Sequence, residues 1–233
     1  MIDQALLLDA GTIASSLTLE EQVQIDDILL THAHLDHIVD LAFLADNVMS
    51  QRTTPIRIWG AQPVLAALRQ HLFNDYIWPD FTKISTRGVP IVSLNSLPES
   101  GTIEIGGYTV SFAPTNHTVY TVGYCLSAKS GSLFYSGDTS TTAAIWAMAE
   151  NCSELKIAFI ETSFPDRFER LAQISGHLTP ALLKVELEKF GERDVPIKIF
   201  HMKPQFLEEL QTELAALHDP RIQVLNGGEI FEF

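Results

Sequence analysis

Short apolar runs alternate along the chain with longer stretches whose apolar positions recur at helical spacing. The short runs predict strands, and the longer stretches predict helices. An alternation of this kind is typical of an α/β fold built in layers. The predicted strands cover residues 5–8, 28–30, 56–59, 103–110 as a hairpin around a Gly-Gly turn, 120–126, 133–136, 155–160, 197–200, 222–225 and 229–233.

The predicted helices fill most of the intervals between these strands. The segment Thr18-Leu19-Glu20-Glu21 has the spacing of a capping box and predicts the start of a short helix. Residues 74–90 show no clear period and combine aromatic residues with Pro and Gly, so we expect an ordered loop there. Further helices are predicted at residues 36–49, 62–73, after 138, 180–190 and 205–217.

The size and composition of the chain favour one large domain. Of its 233 residues, 46% are hydrophobic, which is enough to bury a large core. We see no domain boundary, so we expect a single domain over residues 1–233. No apolar run has the length of a membrane span, and the N-terminus lacks the basic and apolar segments of a signal peptide. These features predict a cytoplasmic protein with no membrane partner, and Cys125 and Cys152 are expected to be buried free thiols.

The charge balance is strongly acidic, with 29 acidic and 15 basic residues and a formal net charge of -14. This balance disfavours a long nucleic acid as the partner, because phosphate backbones are bound by clusters of Lys and Arg. A small anionic ligand is still compatible with it, since divalent cations in a cleft can dominate the local electrostatic field.

The segment Thr31-His32-Ala33-His34-Leu35-Asp36-His37 places three imidazoles and a carboxylate close together directly after an apolar run. In an extended segment His32 and His34 project to the same side and would hold one ion. A helix that starts just after them would turn Asp36 and His37 toward a second ion. Imidazole and carboxylate ligands suit zinc, and also manganese or iron. The segment therefore predicts a site for two divalent metal ions.

Four other residues that can bind metal or transfer protons directly follow predicted strands. In α/β folds, functional sites collect where strands end and loops begin. Taken singly, Asp138 would more often cap the helix that follows it, and His117 would as often be a loop histidine. Together with the histidine-rich segment, they are expected to converge on one site. The four residues are His117, Asp138, Glu161 and His201.

In these motifs the chain resembles the metallo-β-lactamase superfamily, whose His-x-His-x-Asp-His signature is followed by a lone His, a Gly-Asp-Thr and a late His. More narrowly, it resembles the class II cyclic-nucleotide phosphodiesterases. The resemblance implies an αβ/βα four-layer sandwich of two mixed β-sheets with helices on the outer faces. The narrower resemblance rests on residues 68–81, Glu161-Thr162-Ser163-Phe164-Pro165, Ser175-Gly176-His177-Leu178-Thr179-Pro180 and His201-Met202-Lys203-Pro204.

The resemblance also implies a complete set of metal ligands. It assigns His32, His34 and His117 to the first ion, it assigns Asp36, His37 and His201 to the second, and Asp138 bridges both.

This ligand set leaves His177 over as a candidate general acid, since histidine is the usual proton donor near neutral pH. Glu161 would orient it, and the alternative is a histidine that caps a helix beside a solvated Glu. Asp36, His177 and Glu161 are thus the predicted catalytic residues. Asp9 is expected to support the ligand loop, although a simple turn residue is nearly as plausible.

The activity that the resemblance implies is hydrolysis of 3′,5′-cyclic nucleotides, cAMP or cGMP, to 5′-monophosphates through attack by a metal-held hydroxide. Trp78 and Phe81 would either stack on the base or pack the loop onto the core. Relatives usually carry a further β-hairpin before the strand that matches residues 5–8. An uncovered sheet edge at this point would favour pairing with a second copy, so a homodimer is expected.

Three other functions are compatible with the same ligands. A transfer-RNA 3′-processing endonuclease usually needs a basic arm, whereas residues 74–90 hold only Lys83 and Arg87 as basic residues. A thioester or lactone hydrolase would use the same pair of ions on an acyl substrate. A binding protein with an inactive site is the third alternative, because a fold does not fix a function.

Overall fold

The computed structural model describes residues 1–86, 88–191 and 193–232, so Arg87 lies outside the described residues. The chain forms two compact units, residues 1–100 and 101–233. The expectation of a single domain stays a prediction.

A four-stranded sheet forms the centre of the first unit, in the strand order β1-β2-β3-β6. Its neighbouring strands are all parallel, whereas the family resemblance implied a mixed sheet. A separate two-stranded ladder joins β4 to β5 within the predicted loop. The strands are β1 (Leu6–Leu8), β2 (Asp27–Leu29), β3 (Ile56–Gly60), β4 (Ser85–Thr86), β5 (Val89–Pro90) and β6 (Val92–Ser96).

The helices of the first unit follow the predicted intervals with one division, and a further short helix that was not predicted lies at Ile13–Ser16. The capping box is present, because Thr18 accepts from the Glu21 amide and the Glu21 carboxylate accepts from the Thr18 amide. The helix predicted over residues 36–49 is two helices that meet at Val39. The helices are α1 (Ile13–Ser16), α2 (Leu19–Gln24), α3 (Leu35–Ile38), α4 (Asp40–Val48) and α5 (Gln62–His71).

The packing of the first unit's core bears on the two interpretations of the aromatic loop residues. Phe81 is 2% exposed and packs in the apolar cluster, with its ring 6.4 Å from that of Phe73. This burial favours the packing interpretation for Phe81, and contact of Phe81 and Trp78 with a substrate stays a prediction. Trp78 is partly buried against the same cluster and lies edge-on to Phe43 at 5.3 Å.

A mixed seven-stranded sheet forms the centre of the second unit, in the order β13-β12-β11-β10-β9-β8-β7. Strands β7 to β10 pair antiparallel, and β10 to β13 pair parallel. The predicted hairpin is present, and Gly106 and Gly107 adopt φ of +60° and +87° at its turn. The strands are β7 (Thr102–Ile105), β8 (Tyr108–Pro114), β9 (Val122–Ala128), β10 (Gly131–Tyr135), β11 (Leu155–Glu161), β12 (Ile197–Phe200) and β13 (Ile222–Val224).

Helices pack their apolar sides against this sheet through a cluster that includes Phe134, Trp146, Phe190 and Ile199. Residues 229–232 have no regular structure, so the last predicted strand is wrong there, and Phe233 lies outside the described residues. The helices are α6 (Ala144–Glu150), α7 (Glu169–Ser175), α8 (Pro180–Phe190) and α9 (Leu207–Ala216), with 3-10 turns at Asp166–Phe168 and Pro204–Phe206.

Two further observations bear on the sequence predictions. Cys125 and Cys152 form a disulfide, so the prediction of free thiols is wrong. No helix in the described parts of the chain is both long and apolar enough to cross a bilayer.

Candidate metal centre

The histidine-rich segment of the first unit brings two ring nitrogens face to face. It follows β2, and His34 is the residue before α3. His32 Nε2 lies 3.0 Å from His34 Nδ1. A zinc ion held by two nitrogens at about 2.0–2.1 Å keeps them about 3.3 Å apart in a tetrahedral site. The pair therefore has the spacing of two ligands on one ion.

A buried carboxylate, Asp9, supports this segment from the end of the neighbouring strand β1. One oxygen, Oδ1, accepts from the Thr31 amide at 2.8 Å, and the other, Oδ2, lies 2.8 Å from His37 Nδ1. The Thr31 hydroxyl donates to Asp9 Oδ2 at 2.9 Å and lies 2.9 Å from His32 Nδ1. Because the Nδ1 atoms of His32 and His37 face these partners, their Nε2 atoms are the ones that would bind a metal.

A close backbone approach fixes the start of α3. A Cβ atom on Gly11 would lie 1.7 Å from the carbonyl oxygen of Asp36. The Ala10 amide also donates to the His37 carbonyl at 2.7 Å. Only glycine permits this contact, which sets the position of Asp36 and His37 relative to β1.

The predicted strand-end residues of the second unit meet at one edge of its sheet. His117 follows β8, Asp138 follows β10, and Glu161 is the last residue of β11. His201 directly follows β12 in a left-handed conformation with φ of +65°. Because β8, β10, β11 and β12 run in one direction, their carboxyl ends bring these side chains to the same edge.

Asp138 lies at the centre of this group and is 1% exposed. Its Oδ2 lies 3.4 Å from His201 Nε2 and 4.0 Å from both His117 Nε2 and His177 Nδ1. These distances are too long for good hydrogen bonds, but they suit ligand atoms arranged around a cation. A ligand atom of Asp138 lies within 4.8 Å of one from His117 and of one from His201. The residues present therefore fit a divalent metal ion.

Gly176 orients His117. Its carbonyl oxygen lies 2.8 Å from His117 Nδ1, which leaves Nε2 directed toward Asp138. Gly176 has φ of +73°, and a Cβ atom there would lie 2.7 Å from both the Cα and Nδ1 atoms of His117. The glycine thus supplies both the turn and the space that the histidine needs.

Glu161 pairs with His177, as expected of a carboxylate that orients an imidazole. The Oε1 atom lies 2.9 Å from His177 Nδ1 and also accepts from the Thr139 amide at 3.1 Å. Burial, together with the nearby charge of Asp138, raises the pKa of Glu161 to about 8. A cation bound beside Asp138 would act in the opposite direction and favour the ionised form.

Sequence reasoning assigned no role to Ser163, a fully buried residue two positions after Glu161. Its hydroxyl donates to Glu161 Oε2 at 3.0 Å and lies 2.8 Å from His201 Nδ1. Its neighbour Phe164 places its ring 5.7 Å from that of His177. The sequence signal that could have indicated a role for Ser163 is its place in the Glu161-Thr162-Ser163-Phe164 segment, which supports the family resemblance.

Comparisons with known proteins place the chain in a family. Residues 6–218 match the family described as "Beta-lactamase superfamily domain", so the chain belongs to this family. It is 27% identical over 239 residues to "3′,5′-cyclic-nucleotide phosphodiesterase 1" of Saccharomyces cerevisiae, which covers 86% of this chain and 60% of the yeast protein. It is 27% identical over 208 residues to a "Probable 3′,5′-cyclic-nucleotide phosphodiesterase" of Yersinia pestis, covering 78% of this chain and 58% of that protein.

The fold is similar to that of a solved structure. The crystal structure of unliganded yeast PDE1 superposes with a TM-score of 0.76 at 24% identity, covering 89% of this chain and 68% of the yeast chain. The predicted metallo-β-lactamase-like α/β fold class is therefore confirmed. The chain spans about three fifths of the length of the two relatives above, at 60% and 58%.

Proposed function

We propose that the chain is a metal-dependent phosphodiesterase that converts 3′,5′-cyclic nucleotides into 5′-monophosphates. The observation that carries the proposal is the pair of His177 and Glu161 beside the Asp138 carboxylate, which lies close to two other histidines. His177 Nδ1 lies 2.9 Å from Glu161 Oε1, and Asp138 Oδ2 lies 3.4 Å from His201 Nε2 and 4.0 Å from His117 Nε2. The relatives named as cyclic-nucleotide phosphodiesterases support the choice of substrate.

We assign two divalent ions, preferably Zn²⁺, to the ligands that the family resemblance implies. When bound, a pair of ions supplies an activated water and neutralises charge on the phosphoryl oxygens. The donor atoms described above support the assignment, because imidazole Nε2 and carboxylate oxygen suit zinc. The assigned ligands are His32, His34 and His117 for one ion, Asp36, His37 and His201 for the other, and Asp138 for both.

His177 is the proposed proton donor for the departing 3′-oxygen of the ribose. Its Nδ1–H is engaged by Glu161 Oε1, so Nε2 is the atom that delivers the proton. An ionised Glu161 keeps the imidazole oriented and favours its charged form, which is the form that donates.

Hydrogen bonds to Nδ1 keep the proton of two metal-binding histidines on that atom. Asp9 holds His37 through Nδ1, and the Gly176 carbonyl holds His117 through Nδ1. In both cases Nε2 is left as the metal-binding atom. A cytoplasmic location, a homodimer and a cyclic nucleotide as the partner stay predictions.

A substrate panel tests the proposal. The zinc-loaded chain is assayed with cAMP, cGMP, bis(p-nitrophenyl) phosphate, a thioester and a lactone. We expect hydrolysis of the cyclic nucleotides and the activated diester, and we expect Asp138→Ala to abolish it. His71→Gln, which changes an exposed histidine on α5, is the matched control and should retain activity. Turnover confined to acyl substrates would refute the proposal, and so would a chain that binds zinc but hydrolyses none of the panel.

A further inference from the structure

The two units share one hydrogen-bonding arrangement. In each, a buried carboxylate contacts one imidazole directly and reaches a second through a hydroxyl group. In the first unit Asp9 contacts His37 directly and reaches His32 through the Thr31 hydroxyl. In the second unit Glu161 contacts His177 directly and reaches another histidine through a serine hydroxyl. The hydroxyl residues, Thr31 and Ser163, are both fully buried.

We propose that Thr31 and Ser163 are positioning residues whose hydroxyl groups fix the metal-binding tautomer of His32 and His201. A hydroxyl has one proton and two lone pairs. If its proton goes to the carboxylate, it can only accept from the imidazole. The imidazole then carries its proton on Nδ1, and its Nε2 lone pair is available to a cation.

The geometry around Thr31 supports this polarity. Its hydroxyl lies 3.1 Å and 2.9 Å from the two oxygens of Asp9, and its amide donates to Asp9 Oδ1 at 2.8 Å. Two bonds to the same carboxylate hold the hydroxyl 2.9 Å from His32 Nδ1. The Nε2 atom of His32 is the one that faces His34 at 3.0 Å.

The geometry around Ser163 gives the same result. Its hydroxyl can donate to Glu161 Oε2 at 3.0 Å or to the His201 carbonyl at 3.1 Å, and both are acceptors. His177 Nδ1, 3.3 Å away, carries the proton that Glu161 Oε1 accepts, so it offers the hydroxyl no acceptor. With either choice the hydroxyl accepts from His201 Nδ1 at 2.8 Å. The Ser163 amide donates to the Leu178 carbonyl, and the Lys203 amide donates to the Ser163 carbonyl, so the backbone holds the hydroxyl in place.

The inference rests on the proposed function only for the assignment of ligands to ions. Under that assignment His32 belongs to one ion and His201 to the other. Removing each hydroxyl should therefore weaken the binding of a different ion. Loss of a group that orients a metal-binding histidine typically costs 10–100-fold in metal affinity.

The experiment titrates zinc into the metal-free full chain in competition with a chromogenic chelator. Thr31→Val keeps the shape of the side chain and removes the hydroxyl, whereas Thr31→Ser keeps the hydroxyl. We expect Thr31→Val and Ser163→Ala each to weaken one binding step by about 10–100-fold, and the double variant to weaken both. Thr31→Ser should bind zinc nearly as the wild type does.

Thr162→Val is the matched control for losing a buried hydroxyl, because the Thr162 hydroxyl donates to the backbone carbonyl of Glu161, at 2.7 Å. It should leave both binding steps unchanged. Long-range ¹H–¹⁵N spectra of the histidines give a second measurement, in which Thr31→Val should alter the tautomer signals of His32 and leave those of His201 unchanged.

Equal losses for Thr31→Val and Thr31→Ser would overturn the proposal, because the side-chain shape rather than the hydroxyl would then matter. Wild-type affinity in Thr31→Val and Ser163→Ala would also overturn it, as would a wild-type chain that binds no divalent ion. Neither measurement uses catalysis. A chain without phosphodiesterase activity whose variants still show these losses would therefore refute only the proposed function.

Discussion

Replacing Glu161 with Gln should make the metal-free protein more stable near neutral pH. Glu161 is completely buried, and burial together with the charge of Asp138 raises its pKa to about 8, well above the usual value for a glutamate. The folded chain thus holds the carboxyl proton more tightly than the unfolded chain does. Stability is then highest at low pH, and it falls as the pH rises from the unfolded pKa toward the folded one.

The size of the effect follows from the linkage between protonation and folding. In the window between about pH 5 and pH 8 the folded state holds about one proton more, so the free energy of unfolding falls by about 1.4 kcal/mol per pH unit. Over the whole window this amounts to roughly 4 kcal/mol. A neutral Gln of nearly the same shape has no proton to lose and removes this contribution.

The assay is urea unfolding of chelator-treated wild type and Glu161→Gln at several pH values across that window. We expect the advantage of the variant to grow as the pH rises. Saturating zinc should reduce this difference, because a nearby cation lowers the pKa of the carboxyl group. A difference between the two proteins that does not change with pH, or that shrinks as the pH rises without metal, would refute the reasoning.

Four further substitutions test other parts of the structure. Gly176→Ala should lower the free energy of unfolding by roughly 1–2 kcal/mol, because residue 176 has a left-handed backbone conformation. It should also weaken zinc binding by displacing His117, and unchanged zinc affinity would contradict this. Gly11→Ala should fold poorly, because its Cβ would lie 1.7 Å from the Asp36 carbonyl oxygen; a wild-type melting temperature would argue against that contact. His177→Gln should slow cAMP hydrolysis by about 10²–10⁴-fold but affect bis(p-nitrophenyl) phosphate much less, since p-nitrophenolate leaves without a proton; equal losses would exclude the general-acid role. Phe81→Ala should lower the free energy of unfolding by about 3–5 kcal/mol in denaturant titrations without changing KM, and a raised KM alone would restore the stacking interpretation.

The sequence was sufficient to predict most strands and the residues at their ends. Asp138, Glu161 and His201 could be predicted to meet because β10, β11 and β12 are parallel neighbours whose carboxyl ends share one edge. The capping box at Thr18 was predictable for a different reason, since both its partners lie within one helical turn.

Other features depend on contacts between residues that are distant in the sequence. Ser163 acquires its role only when His201, 38 residues away, folds beside it. The burial of Phe81 depends on how its loop packs on the helices, which local polarity does not reveal. The same applies to the disulfide of Cys125 and Cys152, because spacing alone does not show which thiols come together.

The contacts of Glu161 have a consequence for attempts to evolve new activities in this chain. The one side chain contacts the Thr139 amide, the His177 ring and the Ser163 hydroxyl. Most replacements at position 161 would lose contact with at least one of these three neighbours, so substitutions there should rarely survive in a library selected for activity. Diversity is better directed to an exposed position such as Tyr120, which is 50% exposed.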